Sequence, residues 1–338
     1  NNGTGKMPRT LMAIAYLLTN ALMVNGAEKP VATTPLLTDT RFDYGFTVWS
    51  PKPGSHIQQG TIRPDESASQ PIWGLAQWHS RFTLAGVEPE RMLGGAVRFS
   101  DGAKSVTFFP EGSEADIALG LHGILEYEGK SPKRGDPWPH LLAERKLATQ
   151  PAVTELEALP FFVQYRLVKE RVSRPDGFTP QRHTAQFLFY ITVQNRNRES
   201  SGFGDYYWFG VPMYDTRQRI PKPHKAMDVG SDAKPATGKF IFNPGGQQYT
   251  AQSAHDGDWV TIDRDLLPLV REGLEVAWER GYLKDSHDPS DYRLSGMNIC
   301  WEVTGPIDVE MQVRGLRLEA VIKARKKTGN CFQRSEPC

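Results

Sequence analysis

The feature that most restricts this chain is a succession of short apolar–polar alternations broken by turn residues, with one stretch of helical period among them. Alternation at period two marks half-buried strands, and joints rich in Gly, Pro, Asn and Asp mark the reversals between them. The pattern predicts strands at Phe42–Trp49, Trp73–Leu84, Ala96–Phe99, Ser105–Phe109, Phe161–Arg171, Thr184–Gln194 and Tyr206–Tyr214. Four more follow at Lys239–Phe242, Trp259–Ile262, Met297–Val303 and Ile307–Leu318. Joints such as Pro51-Lys52-Pro53-Gly54, Asn243-Pro244-Gly245-Gly246 and Thr304-Gly305-Pro306 separate them. From Leu266 to Tyr282 the apolar residues Leu267, Val270, Leu274 and Ala277 recur at spacings of three and four, with Asp265 placed to cap and Gly281 to close. The expectation is an all-β fold, a two-sheet antiparallel jelly-roll-like sandwich with one amphipathic helix on the convex side.

Composition agrees with strands and turns: 31 Gly, 25 Pro and 10% aromatic residues in 338. Lys+Arg of 40 against Asp+Glu of 39 leaves a net charge of +1. Nothing in that balance attracts nucleic acid or an acidic membrane surface.

The ends read differently from the middle. Met7-Pro8-Arg9, the mostly apolar run from Leu11 to Val24 and the small pair Gly26-Ala27 have the form of a signal peptide, too short to span a bilayer. Residues 1–27 are therefore expected to be leader and signal peptide, 28–322 a β-sandwich carbohydrate-active domain, and 323–338 a basic tail. The product is expected to be secreted or periplasmic, with no membrane association after cleavage. Three cysteines are too few for a disulfide framework. Cys300 sits in an apolar run and reads as a buried thiol, whereas Cys331 and Cys338 are close enough in sequence either to pair or to stay free.

Faces of the strands supply the functional argument. Met297, Ile299, Trp301 and Val303 alternate with Asn298, Cys300 and Glu302, and Ile307, Val309, Met311 and Val313 with Asp308, Glu310, Gln312 and Arg314. On the early strand Gln77, His79 and Arg81 share a side, opposite Ala76, Trp78 and Phe82. Polar sides like these either line a groove or simply face water. Asp205-Tyr206-Tyr207-Trp208-Phe209 adds large rings to both faces of one strand. Sugar rings stack apolar C–H faces on Trp and Tyr while their hydroxyls need amides and carboxylates, so the mixture suits a polysaccharide or oligosaccharide. Core packing is the competing reading for any one ring.

The helical run, then Asp291-Tyr292-Arg293-Leu294, then Gly296 to Glu302, then the strand from Ile307 resembles the ending of glycoside hydrolase family 12, within the concanavalin A-like jelly-roll superfamily. That resemblance covers about 50 residues (on the scale of a few elements) and implies a helix behind the cleft-forming sheet, with Glu302 as the acid/base. The family's nucleophilic glutamate, followed by Met two and Trp four residues on, has no counterpart between Asp205 and Tyr214, where Asp205 is the nearest carboxylate at the start and Asp215 follows at the end. A retaining glycosidase needs carboxyls about 5–5.5 Å apart and an inverting one a wider pair, so the missing residue leaves the mechanism open. Gln77-Trp78-His79 also resembles a motif of jelly-roll polysaccharide lyases, which would give His79 and Arg81 roles at a uronate, with Tyr206 or Tyr207 completing the set.

His255-Asp256-Gly257-Asp258 and Asp285-Ser286-His287-Asp288 leave room for a structural Ca²⁺ without the spacing of a known calcium loop. No cofactor and no catalytic metal are expected. The sequence thus favours an endo-acting glycoside hydrolase with Glu302 and Asp205 as catalytic carboxylates. Gln77, Trp78, His79, Arg81, Tyr207, Trp208 and Asn298 are its expected substrate contacts. A uronate lyase and a non-catalytic glycan-binding module are the alternatives.

Overall fold

Strand alternation is satisfied by two sheets packed face to face. The computed structural model describes residues 33–229 and 236–324, so the expected leader, most of the basic tail, and Cys331 and Cys338 lie outside the described residues. In chain order the strands are β1 Thr33–Pro35, β2 Phe46–Trp49, β3 Gln58–Ile62, β4 Trp73–Ala76, β5 Glu90–Arg91, β6 Val97–Ser100, β7 Lys104–Phe108, β8 Ile117–His122 and β9 His140–Lys146. There follow β10 Leu156–Ala158, β11 Pro160–Val172, β12 Ala185–Asn195, β13 Tyr206–Asp215, β14 His224–Met227, β15 Phe240–Asn243, β16 Val260–Asp265, β17 Tyr292–Val303 and β18 Ile307–Ile322. One sheet runs β16-β11-β18-β8-β7-β6-β5, with β1 and β10 also pairing to β18. The other runs β14-β15-β13-β12-β17-β9-β4-β2-β3. Pairings are antiparallel except β2 with β4 and β13 with β15.

The inner faces share one hydrophobic core. At its centre Trp301 of β17 is fully buried, its ring centroid 4.8 Å from Phe187 and 5.6 Å from Tyr214. Its indole N–H donates across the sandwich to the Leu119 carbonyl of β8 at 2.8 Å. That bond satisfies the one polar atom of the largest core side chain and ties the two sheets together.

The expected helix is present as Leu267–Glu279 (α2), after a single four-residue helical turn at Gly123–Glu126 (α1). Asp265 precedes α2, and its carboxylate accepts the Leu267 and Leu159 N–H groups. The helix packs on β13 and β15, on the face of the second sheet turned toward the core. Its backbone comes so near Tyr207 that a Cβ on Gly273 would fall 2.7 Å from the phenol oxygen. Contact that close needs glycine.

Two expectations are corrected. The segment Trp73–Leu84 is strand only to Ala76, and Gln77–Leu84 is loop. Gln77 takes over as a local scaffold, its amide donating to the Trp49 carbonyl and the Thr83 hydroxyl while its oxygen accepts from the Leu84 N–H. His79 then turns with φ at 60°, so Gln77, His79 and Arg81 never share one strand face. The second correction concerns β18, which belongs to the other sheet from β17. Asp308, Glu310, Gln312 and Arg314 therefore cannot line a common groove with Asn298 and Glu302. Strands β1, β3, β5, β8, β9, β10 and β14 are additional to the expected set.

Replacing Trp301 tests the central contact. Trp301→Ala is expected to lower unfolding stability by about 3–5 kcal/mol, the usual range for truncating a buried aromatic, read as a shift of the urea midpoint. An unchanged midpoint would show that the inter-sheet core does not hang on this ring.

Candidate functional site

Because Trp301 and Ile299 point into the core, Asn298, Cys300 and Glu302 point out of the second sheet. The registers of β4, β9, β17 and β12 place their neighbours in three rows. His140, Glu302 and Gln186 lie side by side in one, and Asp215 of β13 continues it. Ala76, Leu142, Cys300 and Leu188 form the next. Gly74, Glu144, Asn298 and Tyr190 form the third. Two polar rows thus flank an apolar one.

The apolar row is a small second core. Ala76, Leu142, Leu188 and Cys300 are at most 5% exposed because Trp49, Trp78 and Tyr190 pack over them. Trp49 lies across the strand next to its own: a Cβ on Gly74 would fall 2.3 Å from the indole nitrogen. Around these rings runs a continuous strip of imidazole and indole. His56 meets Trp49 edge-on at 5.6 Å and Trp78 at 6.3 Å, Trp78 meets His140 at 6.5 Å, and His140 stacks on Trp138 at 6.0 Å. The Trp138 indole N–H donates to His140 Nε2 at 3.1 Å, which requires a ring carrying no proton on that nitrogen.

Glu144 stands at the edge of this strip. Its Oε1 is 2.9 Å from His56 Nε2, and its side chain is 19% exposed. Burial pushes its carboxyl above the ordinary glutamate range, against the opposing pull of His56 and of the Trp49 indole. The Trp49 N–H is near enough to act on the charge, yet its geometry falls short of a hydrogen bond. The Trp78 indole nitrogen and Asn298 Oδ1 are likewise buried without a protein partner. Asn298 is 8% exposed. Buried polar atoms are usually satisfied, so three unsatisfied ones around one carboxyl leave hydrogen bonds for something else to make.

Burial also pushes up the Tyr190 phenol, with Glu302 adding to the effect, and the Cys300 thiol, for the same two reasons. Neither is suited to act as an anion. At the far end of the first row, burial would raise the Asp215 carboxyl, but hydrogen bonds and charge from Arg217, with help from Thr184, hold it below the usual range. That carboxylate is spent on its own ion pair.

The expected site residues divide. Glu302, Asn298 and Trp78 come together on the outer face. His79 reaches its margin, its ring 6.1 Å from His140, and a cavity of about 400 Å³ there is lined by His79, Arg81 and Tyr127 among others. Arg81 is engaged by Glu128 and the Leu125 carbonyl. Gln77 is fully buried in its structural role. Trp208 is on the outer face beside Tyr190 and Tyr206. Tyr207 is in the core, fully buried, its hydroxyl donating to the Val270 carbonyl of α2. It therefore cannot stack on a ligand.

Asp205 is the clearest departure. It pairs with Lys239 at 2.6 Å, ten residues before the Asp215 that continues the Glu302 row. At about 3.3 Å per residue the separation is about 33 Å, so Asp205 and Glu302 cannot act on one bond. The lyase set fails similarly, with Tyr207 in the core and Tyr206 next to Asp205. Glu144, His56, Trp49, Trp138, His140 and Tyr190 are the site residues that sequence reasoning missed. A carboxylate following Leu141-Leu142-Ala143 was the available signal.

The loop from Gln77 to Leu84 is pinned from below. Lys104 is fully buried, its ammonium 2.8 Å from Asp101 Oδ2, 3.7 Å from Glu126 and hydrogen-bonded to Ser80 and the Phe82 carbonyl. Glu126 in turn accepts from the Ser80 hydroxyl and the Arg81 N–H. Trp78 and His79 thus hang from a charge cluster. As for metals, the described residues hold no group of three His, Cys, Asp or Glu side chains arranged to bind one. Asp256 is paired with Arg219, and Asp288 accepts from the Ser290 N–H.

No known family profile matches the chain, and no curated protein matches it. Solved structures with similar folds include a native family 12 xyloglucanase from Bacillus licheniformis, at 9% identity and a TM-score of 0.39, covering 72% of this chain and 98% of that one. A family 11 xylanase from Neocallimastix patriciarum matches at 8% and 0.34, covering 69% and 95%. Endoglucanase cel12A from Rhodothermus marinus matches at 10% and 0.32, covering 69% and 95%. Likeness this distant carries no argument about the site.

The environment of Glu144 has a consequence for stability. A carboxyl whose pKa is raised in the folded state binds its proton more tightly folded than unfolded, so stability falls as pH rises from the ordinary carboxylate range through the raised value. Glu144→Gln removes that loss. Measured by thermal melts across pH, the variant should gain on the wild type as pH rises through this window and hold its gain above it. A difference independent of pH would show that the carboxyl is not buried as described.

Proposed function

We propose that this protein cleaves a polysaccharide by hydrolysis, with Glu144 as the proton donor and Glu302 as the base. One observation carries the reading: two glutamates project from the same face of neighbouring strands, beside a wall of tryptophan and imidazole with unsatisfied polar atoms. Rings beside carboxyls and amides suit sugars, whose C–H faces stack while their hydroxyls seek hydrogen bonds. The raised carboxyl of Glu144 suits an acid that must hold its proton near neutral pH. Glu144 faces Asn298 and Glu302 faces His140, so the two anchors are four residues apart in register, about 13 Å along the strands.

Anchors this far apart suit the wider spacing of an inverting pair, 6.5–9.5 Å, better than 5–5.5 Å. In that reaction Glu144 gives its proton to the departing glycosidic oxygen as its bond to the anomeric carbon breaks. Glu302 takes a proton from the water that attacks the opposite side of that carbon. The products are a free alcohol and a hemiacetal of inverted configuration, and both glutamates reset by exchange with solvent.

A glycan-binding module is the second reading. The packing of Trp49, Trp78 and Tyr190 over the row between the glutamates favours it, since that ground is already filled. Export of the protein belongs to the proposal as well and rests on the N-terminal pattern. Among the described residues no helix is long and apolar enough to cross a membrane.

Assays on β-glucan, mannan and xylan separate the readings. Glu302→Gln and Glu144→Gln should each lower turnover by roughly 10²–10⁴-fold with polysaccharide binding retained, and NMR of the first product should show the inverted anomer. Retained configuration would remove the wide-pair mechanism. Binding without cleavage of any of the three by the wild type would hand the function to the binding module.

A further inference from the structure

Glu144 does not stand alone, and its partner has no role in the reaction as written. His56 comes from the loop between β2 and β3, closed at its ends where the Ser50 N–H donates to the Ile57 carbonyl. A second tie holds it to the site, the His79 N–H donating to the Pro51 carbonyl at 2.8 Å. The ring is wedged edge-on against Trp49 and Trp78 with Nε2 on Glu144 Oε1, although its side chain is 55% exposed. A solvent-facing loop has thus been fastened on both sides so that one imidazole meets one carboxyl oxygen.

We propose that His56 is a positioning residue for Glu144: it holds one carboxyl oxygen, leaves the other for the ligand, and sets the pH range over which the carboxyl keeps its proton. The catalytic part of this inference rests on the hydrolase reading, whereas the coupling of the two groups does not.

Other groups around Glu144 are poorer candidates for that control. On its own strand, Lys146 is exposed and His140 sits four residues back, beside Glu302. Asn298, directly opposite on β17, and Trp49 on β2 carry no charge to lose. Glu302 is four residues along, and Tyr190 lies beyond Asn298 on β12. Among the described residues His56 is the titratable group recorded in hydrogen-bond contact with Glu144. A charge on an imidazole this close acts directly on the carboxyl beside it. A protonated imidazole favours the carboxylate, and its loss leaves burial opposed by the Trp49 indole and no longer by a charge.

The test needs a measurement that does not depend on activity. Carboxyl ¹³C NMR of glutamate-labelled protein, with Glu144→Gln used to assign the resonance, follows Glu144 across pH. In His56→Gln, which keeps a donor but cannot charge, the Glu144 midpoint should move to higher pH. In His56→Lys, charged throughout, it should stay at or below the wild-type value. If the protein hydrolyses a polysaccharide, the basic limb of the kcat profile should move with the midpoint in both variants, and His56→Ala should lower kcat more than it changes KM. A Glu144 midpoint that is the same in wild type and both variants would overturn the proposal. Full activity in Glu144→Gln would instead remove Glu144 as the acid, leaving the NMR result to decide the pairing on its own.

Discussion

The site depends on which way β17 faces, and Trp301 fixes that. Strand side chains alternate, so a shift of one residue would exchange the two faces entirely. An indole buried in the middle of the sandwich, bonded to Leu119 on the opposite sheet, has no comparable place outside. With Trp301 inward, Glu302 and Cys300 must go outward. β9 and β12 follow through their registers, and the three rows of the outer face are the result.

Burial of polar groups is handled in two ways in this molecule. Around Lys104 charge is balanced within the protein: the ammonium lies against the carboxylates of Asp101 and Glu126 and donates to the Ser80 hydroxyl and the Phe82 carbonyl, although Asp101 Oδ2 makes an ion pair there without hydrogen-bond geometry. Removing one member of such a cluster strands the others in a low dielectric, which is far worse than never having buried them. Around Glu144 the accounts do not close, since Trp49, Trp78 and Asn298 each keep a buried polar atom without a protein partner. The charge-balanced cluster holds the loop that carries Trp78, and the atoms around Glu144 are where that loop meets the second sheet. A rigid support beneath an incompletely paired surface is the arrangement expected of a recognition site.

The face is shallower than a groove built from three polar strand faces would be. Aromatic rings occupy the apolar row; a cavity of about 400 Å³ lies at the margin near His79 and Arg81, and another of about 620 Å³ is lined by Arg41 and Tyr44 among others. Binding of an extended chain here would rely on stacking against ring edges and faces and on the unsatisfied polar atoms, not on enclosure.

Much of the fold was legible in the residues, because burial of alternate positions is written into each strand separately. The two faces of Met297–Val303, the helix near Leu267–Glu279 with Asp265 before it, and the polar side bearing Asn298 and Glu302 all follow from local periodicity. Strand β9 escaped because three consecutive buried residues, Leu141, Leu142 and Ala143, hide its alternation: one of its outward side chains is covered by rings from other segments. The false strand through His79 arose from the same limit, for only the fold supplies the carbonyl and hydroxyl that let Gln77 stabilise a turn there. Pairing of carboxylates was beyond the sequence altogether. Asp205 and Glu302 looked compatible as residue types, and only strand register puts about 33 Å between them while bringing Glu144 to the neighbouring strand. Periodicity determines which side of its own strand a residue occupies; which strand lies beside it is decided by contacts between segments far apart in the chain.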